Sequence, residues 1–177
     1  MTDSRFLTLL RDQVRNEFTA SQQYIALAVW FDSRDMPQMA GHFYRQSVEE
    51  RNHAMMMVQY MLDRDIDVEI PNVDAVRNEF KKPTELVALA LAQEETVTTQ
   101  ISELFKAARA EDDVLGEQFM LWFIKEQVEE VASMKTLLAI AERADNDWFE
   151  IETFLAREVV GDAGTDASAP AAAGGAL

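Results

Sequence analysis

The sequence predicts an all-α protein: a bundle of four long helices with one long crossover, plus a short fifth helix near the C-terminus. Three observations predict it. Apolar residues recur at spacings of three and four. Glycine and proline are scarce until the last residues, and one connection is far longer than the others. The first helix runs from about Ser4 to Asp32. The second starts near Pro37, where proline is tolerated in a first turn, and ends near Arg64. The third runs from about Pro83 to Glu111 and the fourth from about Asp113 to Ala144. Each has roughly 28–32 residues and so spans about 42–48 Å. The fifth starts at Trp148, with Asp147 as its cap and Glu150 three residues on, and ends near Val159. Short links, such as Ser33 to Met36, make antiparallel neighbours. The long link from Asp65 to Lys82, with Ile70-Pro71-Asn72 in its middle, carries the chain back along the bundle and makes one pair parallel. After Val159 the chain turns to Gly, Ala, Ser and Asp, which bury no core. Residues 1–160 therefore read as one domain and 161–177 as a disordered low-complexity tail.

Composition narrows the function classes. Of 177 residues 48% are hydrophobic, enough for a core, and cysteine is absent. Thiolate metal sites, cysteine nucleophiles and redox pairs are thereby excluded. The 32 acidic and 16 basic residues give a formal charge of −16, which repels nucleic acid and draws cations. No run approaches the roughly 20 apolar residues of a membrane span, and the opening residues carry no secretory leader pattern. The expectation is a cytoplasmic protein that engages neither nucleic acid nor membrane.

A bundle core needs an apolar seam on every helix. The first helix supplies Leu7, Leu10, Val14, Glu17, Ser21, Tyr24, Ala28 and Phe31; the second Phe43, Ser47, Glu50, Ala54, Met57 and Met61. The third supplies Val87, Ala90, Glu94, Val97, Ile101 and Leu104; the fourth Gly116, Met120, Phe123, Gln127, Glu130, Met134 and Leu137. Each seam is broken near its midpoint by a glutamate, so Glu17, Glu50, Glu94 and Glu130 should lie at one level. An unpaired ionised carboxylate costs several kcal/mol to bury, and four together repel one another. They must be protonated, paired or bound to cations, and no arginine falls on a seam at that level. His53 stands three residues after Glu50, and Glu-x-x-His converges an oxygen and a nitrogen on one point. Such mixed donors suit ferrous iron or manganese. The other histidine, His42, has no glutamate three residues before it and reads as structural or surface.

The stretches Asn16-Glu17-Phe18 with Tyr24, Val48-Glu49-Glu50-Arg51-Asn52-His53-Ala54, Gln93-Glu94 and Glu126-Gln127-Val128-Glu129-Glu130 resemble bacterial non-haem ferritins in order and spacing. The likeness covers Phe6 to Val159 and is strongest to ferritins of actinobacterial type. It implies a ferritin-like bundle acting as a ferroxidase. By that resemblance Glu17, Glu50 and His53 hold a first iron, and Glu50 bridges to a second held by Glu94 and Glu130. Gln127 would stand on the oxygen-binding side of the pair, with Tyr24 beside it. Glu49, Glu126 and Glu129, with Glu130, match a third iron site. Glu117, in the acidic turn that includes Glu111, Asp112 and Asp113, matches an ion-channel position. The family's activity is oxidation of Fe(II) to Fe(III) by O₂ or H₂O₂. Its members store the mineral in a homo-oligomeric shell, a 24-mer, with the fifth helix around a four-fold axis.

Departures from neighbouring families sharpen the reading. Gln127-Val128-Glu129-Glu130 lacks the second Glu-x-x-His of bacterioferritins. Arg51 follows Glu50 where those proteins place a haem-ligating methionine, so no haem is expected. The alternative on the same residues is a carboxylate-bridged diiron or dimanganese oxidase with a permanent metal cofactor. It needs an apolar substrate pocket and an electron donor, neither of which the sequence displays.

Overall fold

The computed structural model describes residues 4–145, 147–158 and 166–177. It contains helices α1 (Arg5–Asp32), α2 (Pro37–Asp63), α3 (Pro83–Ala110), α4 (Val114–Arg143) and α5 (Trp148–Glu158), with no strand among the described residues. The expected end of the fifth helix at Val159 lies outside the described residues. Caps explain the starts. Ser4 accepts a hydrogen bond from Leu7 N at 3.2 Å, and Asp113 accepts one from Gly116 N at 3.0 Å, satisfying N–H groups that a helix leaves unpaired. At the start of α2 the partner comes from α5. Both Gln38 N and Met39 N donate to the Glu152 carboxylate at 2.9 Å, which also sets a negative charge against the positive helix end.

The four long helices end alike. Asp35, Asp65, Asp112 and Asp145 follow them with φ of 57°, 54°, 56° and 33°, the left-handed position usually taken by glycine. Aspartate tolerates that conformation better than most residues but still strains. Asp65→Gly is therefore expected to raise stability by roughly 0.5–1 kcal/mol, after subtracting glycine's larger chain entropy. Denaturant unfolding should show a higher midpoint at unchanged slope; an unchanged or lower midpoint refutes the expectation.

The crossover sets the topology. It climbs beside α1: Arg11 donates to Asp67 O at 3.5 Å, Asp74 N to Thr19 Oγ1 at 3.0 Å, and Arg77 N to Gln23 Oε1 at 2.8 Å. Residue numbers rise together, so the crossover runs parallel to α1 and delivers the chain to the end where α2 began. Helix α3 thus runs parallel to α2 and antiparallel to α1. Its last turn consequently meets the first turn of α1, where Phe6 N donates to Glu111 at 3.2 Å. Helices α1 and α2 pack along each other, as do α3 and α4, while α5 rests on α2 and α4.

The core is divided. One apolar cluster gathers Tyr24 to Phe31, Met39 to Phe43, Leu86 to Ala90 and Met134 to Ala144, with Ile151 and Leu155 of α5. The other gathers Phe6, Leu10 and Val14 with Met57, Met61, Ile101, Leu104, Met120 and Phe123. Between them lie the buried polar residues Gln13, Glu17, Glu50, His53, Glu94 and Gln127. Two seam positions differ from expectation. Phe6 takes the inward place assigned to Leu7, which is half-buried, and Glu130 sits half-buried at the core's edge.

The tail also departs from expectation. Residues 161–165 lie outside the described residues, but 166–177, expected to be disordered, lie against the bundle. Trp122 Nε1 donates to Asp166 at 3.0 Å, Ala173 N to Met55 O at 3.0 Å, and Leu177 N to Asn52 at 3.2 Å. The low complexity correctly signals that the segment has no core of its own. Its small alanines instead lie flush on α2 and α4 and use theirs, with Ala173 9% exposed.

Candidate metal centre

Three donors converge first. Glu17 on α1 and Glu50 and His53 on α2 each offer an atom within 4.8 Å of the others, and all three side chains are buried. His53 Nδ1 lies 3.3 Å from Glu50 Oε2. Its ring is held edge-on to Trp122 and Phe123, at centroid distances of 5.6 and 5.7 Å. Gln13 Nε2 donates to Glu17 Oε1 at 2.9 Å, and Asn16 steadies Gln13 from behind at 3.2 Å. That leaves Glu17 Oε2 and Glu50 Oε1 buried without a hydrogen-bond partner. Unsatisfied buried acceptors are rare and costly. Two carboxylate oxygens beside an imidazole fit a transition-metal ion.

Glu94 extends the centre across to α3. Tyr24 donates its phenolic hydrogen to Glu94 Oε1, and Tyr24's ring is fixed by a stack of Tyr24, Phe43 and Phe31 with spacings of 5.7 and 5.6 Å. Gln127 Nε2 lies 3.5 Å from Glu94 Oε2. Burial pushes the carboxyl groups of Glu17, Glu50 and Glu94 above the ordinary carboxylate range, and their mutual repulsion adds to it. Glu130 is pushed up to about 9, first by burial and then by Glu49 and Glu94.

The remaining expected residues are placed unequally. Glu126 is half-buried, with Oε2 buried and unpartnered, and burial raises its pKa. Glu49 is exposed and accepts from Gln46. Glu129 is exposed. Glu117 forms a two-pronged pair with Arg109, at 2.9 and 3.2 Å. Asp113 caps α4 and pairs with Arg64 at 2.6 Å, and Glu111 accepts from Ser4 and Phe6. Within one chain, Glu111, Asp113 and Glu117 of the acidic turn expected to guide ions are therefore engaged. His42 stays apart from the layer, edge-on to Phe43, with burial lowering its pKa to about 4. Sequence reading missed Gln13, Gln46 and Thr98. Gln13 carried a signal, since it sits one turn before Glu17 on the same face. Neutral polar residues beside a seam otherwise look like surface.

Comparison with known proteins identifies the family of the fold. Residues 7–144 match the model of the ferritin-like domain. The chain is 63% identical over 175 residues to Ferritin BfrB of Mycolicibacterium smegmatis, covering 99% of this chain and 96% of that protein. It is 31% identical over 147 residues to a bacterial non-heme ferritin of Staphylococcus haemolyticus, covering 83% of this chain and 89% of that one. An open-pore ferritin of Archaeoglobus fulgidus superposes with a TM-score of 0.85 at 24% identity, covering 92% of this chain and 100% of that one. Helix order, single crossover and fifth helix thus belong to a known architecture, and the chain is a member of the ferritin family of iron-storage proteins.

Proposed function

We propose that the protein oxidises Fe(II) at a dinuclear centre within each subunit and deposits the ferric product as mineral inside a 24-subunit shell, without haem. The observation that carries the reading is the pair of orphaned oxygens, Glu17 Oε2 and Glu50 Oε1, beside His53. Iron is the substrate. Glu17, Glu50 and His53 hold one Fe(II); Glu50, Glu94 and Glu130 hold the second. The two ions give up one electron each, and O₂ with two protons becomes H₂O₂. Hard carboxylate oxygens favour the Fe(III) product. Tyr24 orients Glu94, and Gln127-x-x-Glu130 stands in place of a second Glu-x-x-His, so the second position holds its ion less tightly than the first. Glu126, Glu129, Glu130 and Glu49 form a graded path of carboxylates from core to surface, along which product iron can leave. Aerobic Fe(II) loading should give a soluble brown core with many more than two irons per chain. Uptake that stops at two overturns storage.

Proton release follows from the same groups. Ions that bind must displace protons from Glu17, Glu50, Glu94 and Glu130, so affinity should rise with pH. Stability responds oppositely in the metal-free protein. Glu130 has a folded pKa of about 9 against a usual 4.5. Its stabilising contribution is therefore complete below about pH 4.5 and lost as pH climbs toward 9. Melting temperature of metal-free protein should fall across that window, and less steeply in Glu130→Gln. Identical slopes in the two proteins would contradict the assignment.

A further inference from the structure

Thr98 presents a proton-counting problem whose solution reaches the centre. Its Oγ1 lies 2.8 Å from the backbone oxygen of Glu94 and also 2.8 Å from Gln127 Oε1. A hydroxyl has one proton, so it cannot donate to both. The neighbouring hydroxyls indicate where that proton goes. Thr96, Thr99 and Ser102 on α3, and Thr136 on α4, all donate to the carbonyl four residues back, at 2.8–3.1 Å. This back-bond is the ordinary habit of hydroxyl residues inside helices. If Thr98 follows it, Oγ1 is left with lone pairs only, and the Gln127 atom facing it must be the amide nitrogen. Nitrogen and oxygen of an amide share one shape, so the hydrogen-bond network assigns them.

The consequence falls on the far side of the amide. With nitrogen turned to Thr98, the amide oxygen of Gln127 faces Glu94 Oε2, at the 3.5 Å separation of those two positions. Two acceptors facing each other repel unless a proton or a cation lies between them. We propose that Thr98 is a positioning residue that turns the amide oxygen of Gln127 toward the second metal position, where it serves as a neutral oxygen donor alongside Glu94. Thr98 touches neither metal nor oxidant itself; it acts through Gln127. The inference rests on the two-metal reading above.

Anaerobic titration of the full-length protein with Co(II) tests it, by calorimetry and by the visible bands that report cobalt's ligand number. Thr98→Val keeps the shape and removes the acceptor. It is expected to weaken the second Co(II) about tenfold, the cost of roughly one hydrogen bond, and to change only that ion's spectrum. Thr98→Ser keeps the hydroxyl and should match wild type. Wild-type binding of the second Co(II) in Thr98→Val overturns the proposal. So does equal weakening of both ions, or a Thr98→Ser variant that behaves like valine. If wild-type protein takes up a single Co(II) per chain, the two-metal reading fails, and this assignment with it.

Discussion

Replacing Glu50 with alanine is expected to slow Fe(II) oxidation by about 10²-fold or more, because in the proposed centre Glu50 serves both metal positions. Loss of a residue that merely orients a ligand already costs roughly 10–100-fold in metal affinity or activity. Glu50 is fully buried and has one unpartnered oxygen, beside a histidine 3.3 Å away. Stopped-flow absorbance of the ferric products measures the rate. Misfolding is the competing explanation, and the electrostatics separate it. Glu50 raises the pKa of Glu17 by repulsion and is itself raised by burial and by Glu94. Its carboxylate therefore burdens the metal-free fold, since exchanging a buried charge for a neutral group of like volume is often neutral or stabilising. Glu50→Gln, which keeps that volume, should be as slow as the alanine variant and melt no lower than wild type at pH 7. Wild-type initial rates in either variant would remove Glu50 from the centre.

The parts of the structure that were legible in the sequence follow from periodicity. The four long helices stop within a residue of their expected ends because capping residues mark them: Ser4 and Asp113 at starts, the left-handed aspartates after the ends. The polar layer was legible because a glutamate on an apolar seam is too costly to be accidental. What was not legible depends on distance rather than pattern. Glu130 satisfies the seam spacing of α4, yet α4 turns Gln127 fully inward, 4% exposed, and leaves Glu130 at the edge. A difference of three residues is a rotation of about 60° from the same line, which a pattern tolerates and a packed helix does not. The pairing of Glu117 with Arg109 links residues eight apart across the α3–α4 turn, a contact that no helical period encodes. The docking of 166–177 was invisible for a related reason. Alanine-rich sequence lacks the large side chains that announce packing, whereas its fit on α2 depends on surfaces supplied elsewhere.

The neutral residues around the centre share one property. Gln13 holds Glu17, Tyr24 holds Glu94, and Gln46 reaches Glu49 and Glu130. Amides and a phenol can steady a carboxylate without cancelling its charge. Arginines in the same places would form ion pairs and fill the site. Neutral support thus leaves the negative charge free for a cation, which is why the charge-rich surface carries the ion pairs and the layer between the two core clusters carries none with Lys or Arg among the described residues.

Phe149→Asp is expected to prevent assembly of the proposed shell, leaving small oligomers in place of one large particle by native mass measurement. Phe149 stands 81% exposed on α5, next to the half-buried Trp148 and near the half-buried Phe154. The opposite side of the helix is already committed to its own subunit, through Ile151 and Leu155 in the core and Glu152 on the start of α2. Removing α5 altogether would take away those contacts too and confuse subunit stability with assembly. Phe149 avoids that, because among the described residues almost nothing covers it. An aromatic left in water beside other aromatics marks an interface, and buried aromatic anchors commonly contribute about 2 kcal/mol or more each. Rotational symmetry repeats the change in every copy. If the fifth helices meet around an axis, aspartates would converge there, and both lost burial and like-charge repulsion would oppose closure. Particles of wild-type mass in Phe149→Asp would show that α5 does not face a neighbour. Wild-type protein found as monomers or dimers at micromolar concentration would overturn the shell itself.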